Sequence, residues 1–175
     1  MAGYAIHVAV ANEYIRKNNI ENKDELIDGV IVPDSVKDKS LTHYGVYSSR
    51  PNLKEYLTNN KIESDFEKGY FLHLITDYLF YNHYFVVPKN IVFYEDYDKT
   101  NKFLIEKYNI ALPDELCEYM NIVLGEPKYL KYDLLEMMID EISDINIDKA
   151  IKTIIKDNYI IIKNCIIKTD VFKRI

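Results

Sequence analysis

The sequence is sparing in the residues that build disulfide frameworks, flexible linkers and basic surfaces. Only Cys117 and Cys165 occur in 175 residues, and two cysteines so far apart in a chain with a sizeable core read as reduced core residues. Structural zinc sites usually rest on cysteine, so a site of that kind is not expected. Five Gly and five Pro, with no Ser/Gly-rich stretch and no repeat of fixed period, argue against flexible architecture and predict one domain over residues 1–175. No apolar run reaches the ~20 residues needed to span a bilayer. The apolar Met1–Ala11 segment lacks a basic lead and runs directly into Asn12-Glu13-Tyr14-Ile15-Arg16-Lys17, unlike a signal peptide. The expected location is cytoplasmic.

Positive charge is also in deficit. A formal charge of -6 argues against nucleic-acid binding through a broad basic surface, although a local metal site still leaves nuclease-like substrates open. The basic residues that are present gather late: Lys149, Lys152, Lys156, Lys163, Lys168, Lys173 and Arg174 stand against Asp157 and Asp170. That pattern reads first as a solvated helix face. The sharper alternative is contact with an anionic partner or a peripheral membrane surface.

What is abundant is apolar and aromatic residues at helical spacing. Ile6, Val10, Ala11, Tyr14 and Ile15 predict a helix over 2–17, with His7 in its second turn. A short helix is predicted for Lys23–Val30, an irregular segment for Asp34–Tyr47, and a further helix start near Asn52 after Pro51. Ser64 and Glu67 form a capping-box pattern ahead of an aromatic helix running to about Phe85, which Pro88 should end. Helices are also expected at 97–108, 114–123 and 128–142, and from Ile147 into the Ile-rich C-terminal segment. Tyr159–Ile162 has strand propensity, but a lone strand without a partner cannot form a sheet. The predicted fold is therefore an all-α, single-domain multi-helix bundle.

Within this bundle the four histidines, His7, His43, His73 and His83, all fall in the first half of the chain. His73 and Asp77 are four residues apart and project from one helix face, where they can grip one cation. Taken alone, that pair is equally explained by a carboxylate bonding an imidazole within the core. Asp34 and His43 in one segment, His7 on an early helix and His83 six residues beyond Asp77 add weight to a metal. A mixed His and carboxylate set suits an open, catalytic divalent centre, since imidazole favours zinc or iron and carboxylates bridge ions. Tyr70, Phe71, Tyr78, Phe80, Tyr81, Tyr84 and Phe85 read mainly as core, with Tyr44, Tyr78 or Tyr81 candidates to line a pocket. The loop cations Lys37, Lys39 and Arg50 flank the segment of Asp34 and His43 and could contact a substrate phosphate, but read first as solvated.

The spacing His73-x-x-x-Asp77-x-x-x-x-x-His83, with Val32-Pro33-Asp34, Thr42-His43-Tyr44 and the early His7, resembles the zinc-dependent phospholipase C family and its relatives, the single-strand-specific nucleases. The phrase Gly69-Tyr70-Phe71-Leu72-His73-Leu74-Ile75-Thr76-Asp77 also looks like small bacterial members of that group. The resemblance covers about residues 1–85, and the gap of nine from Asp34 to His43 is shorter than the family's. It implies a helical phosphoester hydrolase in which Asp34, His43, His73 and Asp77 surround one zinc ion while His7 and a bridging Asp77 hold a second; other divalent transition metals also suit these ligands. It further implies that a mature N-terminus at Ala2, after removal of Met1, would complete the second ion. Asp34 and Asp77 would carry the catalytic roles of orienting water and positioning the ions.

The family's third site departs here, because its downstream His and acid fall at Tyr97 and Asn101. Glu95, Asp96 or Asp98 are the available substitutes. His83 is ~15 Å along a straight helix from His73 and cannot share its ion; it reads equally as a third-site ligand, a phosphate contact or a hydrogen-bonded helix residue. The implied substrate is a small phosphodiester or a phospholipid head group. Neither an adjacent His-Asp pair nor a Glu-x-x-His motif occurs, which removes two other metal-hydrolase and di-iron patterns. The alternative from a different class is a noncatalytic helical interaction module with structural histidines and a basic C-terminal partner-binding segment.

Overall fold

The computed structural model describes residues 2–87, 91, 93–111, 120–162 and 165–169. Helix α1 (Tyr4–Lys17) turns its Ala5, Ile6, Val8, Ala9 and Val10 inward. Arg16 and Lys17 occupy its last turn, where cations complement the helix dipole. Helix α2 (Lys23–Ile31) begins at Asn22, whose side chain accepts from the Glu25 amide. It passes directly into a 3-10 turn, Val32–Asp34.

The segment expected to be irregular between Asp34 and Tyr47 instead contains that turn's end and a one-turn helix, α3 (Ser40–His43). Tyr44 follows in the left-handed conformation with φ 55°, which stops α3 and returns the chain so that the Asn52 amide bonds the His43 carbonyl at 2.9 Å. Helix α4 (Leu53–Asn59) starts at Asn52.

Helix α5 (Asp65–Leu79) is the axis of the molecule, buried on nearly every side from Phe71 to Leu79. The capping box is formed as the sequence suggests: Ser64 Oγ accepts from the Glu67 amide, and Glu67 Oε2 accepts from the Ser64 amide at 2.6 Å. Each fully buried Leu or Ile here stabilises the fold by roughly 1.5–3 kcal/mol. After Leu79 the helix does not run on in α form but widens into a π turn, Phe80–Tyr84. Residues 85–87 are no longer helical, and Pro88 lies outside the described residues.

Two glycines let α2 and α5 touch backbone to backbone. A Cβ on Gly29 would stand 2.0 Å from the Phe66 carbonyl oxygen, and one on Gly69 would stand 2.1 Å from that of Leu26. No side chain fits between these helices, which is why both positions are glycine.

Helix α6 spans Tyr94–Tyr108, starting three residues earlier than expected, and ends at Asn109 with φ 49°. The helix expected at 114–123 falls mostly outside the described residues, and 120–123 are not helical. Helix α7 covers Tyr132–Ser143 rather than 128–142, because residues 128–130 are tied instead to Asp96. Helix α8 (Ile147–Asp157) ends at Asn158 in the left-handed conformation.

The C-terminal segment corrects the all-α expectation. Rather than extending α8, the chain forms β1 (Tyr159–Ile162), which pairs antiparallel with β2 (Cys165–Lys168) in the register Tyr159–Lys168 and Ile162–Cys165. The partner overlooked in the sequence is the apolar stretch only two residues downstream. Ile160 and Ile162 point into the core while Tyr78 donates to the Lys168 carbonyl at 2.7 Å, so the hairpin docks on α5. Among the described residues the molecule is thus mainly helical with one small sheet. Cys165 sits exposed on β2, not in the core as expected, and Cys117 lies outside the described residues. No described helix is long and apolar enough to cross a membrane.

Candidate metal centre

Four side chains from three elements converge below α5. Asp34 ends the 3-10 turn, His43 ends α3, and His73 and Asp77 lie one turn apart on α5. All four are buried, and one potential ligand atom from each lies within 4.8 Å of the others. His43 Nε2 is 3.0 Å from Asp77 Oδ2 and 3.8 Å from Asp34 Oδ1. His73 Nε2 is 3.7 Å from Asp77 Oδ2 and 4.0 Å from Asp34 Oδ1. The two Nε2 atoms are 3.2 Å apart.

The outward side of each ring fixes what the inward side presents. His73 Nδ1 lies 2.7 Å from the Val30 carbonyl, and His43 Nδ1 lies 3.1 Å from the Lys39 carbonyl. A carbonyl oxygen only accepts, so each Nδ1 carries a hydrogen, and each Nε2, once deprotonated, offers a lone pair inward. Two imidazole Nε2 atoms and two carboxylates then face one another in a dry pocket, an arrangement whose negative charge is balanced by a proton on an imidazole or by a bound cation. These carbonyls are the outer partners that orient metal-binding imidazoles. The group can hold a metal ion.

Unsatisfied atoms make the same point. Both carboxylate oxygens of Asp34 and both ring nitrogens of His7 are buried without a hydrogen bond, and native buried polar atoms seldom go unpaired without a role. His7 lies beside the group, its Nε2 3.4 Å from Asp77 Oδ1. On the same Oδ1, the wholly buried Ala2 places its backbone nitrogen at 2.7 Å. Asp77 therefore faces His43 and His73 with one oxygen and His7 and Ala2 with the other, the posture of a bridging carboxylate.

Electrostatics follow from this packing. Burial would raise the Asp77 carboxyl, but the facing imidazoles of His43, His7 and His73 outweigh it and hold the group well below the usual carboxylate range. Burial likewise opposes charge on His73, yet its bond to Asp77 and the charges of Asp34 and Asp77 raise it above the ordinary histidine value. His7 is lowered by burial and then by the neighbouring His73.

The structure does not bring His83 into this group. Six residues beyond Asp77 is about 240° around a helix, and His83 lies exposed on the π turn against Tyr84. Nor do the proposed substitutes assemble a third site. Asp96 spends both oxygens on the amides of Lys128, Tyr129 and Leu130 at 2.8, 2.5 and 2.9 Å, and Glu95 pairs on the surface with Lys99 at 2.5 Å. Tyr97 meets Tyr81 hydroxyl to hydroxyl at 3.0 Å.

Of the aromatics, Phe71, Tyr78, Phe80 and Phe85 are core, while Tyr70, Tyr81 and Tyr84 are half-buried. Lys37 and Arg50 are exposed, as expected of loop cations. Lys39 is not: its ammonium reaches the Asp34 carboxylate at 3.2 Å and also contacts the Asp34 carbonyl. The only sequence signal was position, five residues after Asp34 and four before His43.

No family model, curated protein or solved structure matches this chain.

Proposed function

We propose that this chain is a metal-dependent phosphoester hydrolase whose centre is built from Asp34, His43, His73 and Asp77, with His7 completing a second ion position through Asp77. The observation that carries the reading is the buried convergence of two inward imidazole lone pairs and two carboxylates. The donor set of nitrogen and oxygen atoms favours zinc, with other divalent transition metals as competitors. Two ions held there would supply an acidified water and charge neutralisation at a phosphoryl oxygen.

The chain's own groups have separable tasks. His43 and His73 are held in the ligating tautomer by the Lys39 and Val30 carbonyls. Asp77 divides its two oxygens between the two positions, and Asp34 keeps unsatisfied lone pairs that suit a ligand or a water-orienting acceptor. The buried Ala2 nitrogen beside Asp77 Oδ1 supports the amino-terminal ligand that the resemblance implies.

A phospholipid head group or a small phosphodiester is the substrate class proposed. Supporting it, exposed Leu41, Val46 and Tyr47 lie in the chain segment that carries His43, and exposed Lys149, Lys152 and Lys156 on α8 suit an anionic surface. Metal analysis of the purified wild type, with hydrolysis assays on phosphodiesters, phosphomonoesters and soluble head-group esters, tests the reading. We expect at least one transition metal per chain, lost with hydrolysis in His73→Ala and Asp77→Ala. Full metal content in both variants places the metal elsewhere and overturns the assignment.

A further inference from the structure

Lys39 occupies an unusual position for a surface-loop lysine. It is the residue before α3, and its carbonyl accepts from the His43 amide at 2.9 Å as well as facing His43 Nδ1. Its backbone is therefore fixed by a proposed metal ligand. The side chain folds back over the 3-10 turn so that the ammonium meets Asp34 Oδ1 at 3.2 Å, and it retains 23% exposure. One end of Lys39 is in the centre and its stem still opens to solvent.

The charges around it are lopsided. Asp34 and Asp77 contribute two buried negative charges, and Lys39 brings its ammonium against the first of them. A divalent cation at Asp34 brings two positive charges to the same point. It also competes directly with the ammonium for Asp34 Oδ1, because both need the same lone pairs and like charges repel in a low-dielectric pocket. Displaced from Asp34, Lys39 cannot move far, since its main chain is pinned. Its flexible stem carries three donors to the rim, beside the position where an anionic ligand of the ion would sit.

We propose that Lys39 is the substrate-positioning cation of this centre, resting on Asp34 while the site is metal-free and turning to a phosphoryl oxygen of the phosphoester once an ion takes Asp34. This assignment rests on the metal-centre reading above. It distinguishes Lys39 from Lys37 and Arg50, which are exposed and make no contact with the group.

The test uses binding rather than turnover. Zinc affinity, and then the affinity of the zinc-loaded protein for inorganic phosphate and for glycerophosphocholine, are measured by calorimetry for wild type, Lys39→Met, Lys39→Gln and Lys39→Arg. Without the competing ammonium, Met and Gln variants are expected to bind zinc as tightly as wild type or about threefold more tightly. Their affinity for the phosphoryl probe is expected to fall about tenfold, with partial recovery in Lys39→Arg. The probe that loses more separates a free phosphate from a head-group source. Unchanged affinity for both probes at full zinc content overturns the role of Lys39 and leaves the metal centre standing. Loss of zinc in both neutral variants makes Lys39 a structural prop and also overturns it. A wild type that binds no zinc or other transition metal overturns the hydrolase reading and this one together.

Discussion

His7 lies flat against His73, ring centroids 3.8 Å apart with 8° between their planes. Two stacked imidazoles in a dry pocket cannot both be charged, and the neighbours decide which one is. His73 faces both carboxylates and is raised above 6.5, whereas burial and the His73 charge push His7 below it. A single proton, placed on His73, thus supplies the positive charge that the metal-free group needs.

A pH prediction follows from the His73 direction. Because its folded value is raised, its contribution to the stability of the metal-free protein is complete below the unfolded value of 6.5 and is lost as pH rises through the folded value. Metal binding must expel this proton, so metal affinity moves the opposite way and falls as pH drops through the same window. Thermal unfolding of metal-stripped and zinc-loaded protein from about pH 6 to 9 should give curves of opposite slope. Parallel curves would remove His73 from the ligand set.

The close contact of α2 with α5 gives the second prediction. Gly69→Ala or Gly29→Ala drives a methyl into a backbone carbonyl, which cannot rotate away. The helices must separate, at a cost of about 3 kcal/mol. The same movement withdraws the Val30 carbonyl from His73 Nδ1, so metal affinity should fall with stability. Urea unfolding and metal titration of either variant check both effects; a stability within about 0.5 kcal/mol of wild type would mean that the helices are not in backbone contact.

Asp96 should behave differently. Burial opposes ionisation, but the amides of Lys128, Leu130 and Tyr129 hold its carboxyl below the usual carboxylate value. Asp96→Asn replaces an acceptor with a donor facing those amides, and a loss of about 1–3 kcal/mol is expected by denaturant unfolding. Metal content per folded chain should be unchanged. A fall in that ratio would return Asp96 to the ligands of a third ion.

The residues that were legible in the sequence are those whose relation is local. His73 and Asp77 share a face because they are one helical turn apart, and Ser64 with Glu67 marks the start of that helix. The approach of Asp34 and His43 to the same point depends on Gly29, Gly69 and the reversal at Tyr44, which act through packing rather than period. The sequence offers Lys39, Lys37 and Arg50 alike as phosphate contacts or solvated loop cations, and only the fold singles out Lys39 by turning its ammonium toward Asp34. His83 was included on spacing to Asp77, but spacing does not report the π turn that carries it to the surface. The hairpin was missed because an Ile-rich run does not distinguish buried helix from strand, and Asn158, which ends α8, gives a weak signal on its own.

Asp34 gives the last prediction, because a residue kept for ion binding should harm the protein that lacks the ion. Asp34 is 4% exposed, its carboxylate is met most closely by the Lys39 ammonium at Oδ1, and the Asp77 carboxylate lies across the same pocket. At a pH above the raised folded value of His73, its proton no longer offsets this repulsion. Asp34→Asn then removes a buried charge at nearly constant volume, and Lys39 can return to solvent along its exposed stem. The metal-stripped variant should melt about 2–4 °C above the stripped wild type. In excess zinc the order should reverse, since only the wild type retains the full ligand set and the binding free energy that stabilises the native state. A variant less stable than wild type in both conditions would show that Asp34 is retained for the fold, and the argument from its unsatisfied oxygens would fail.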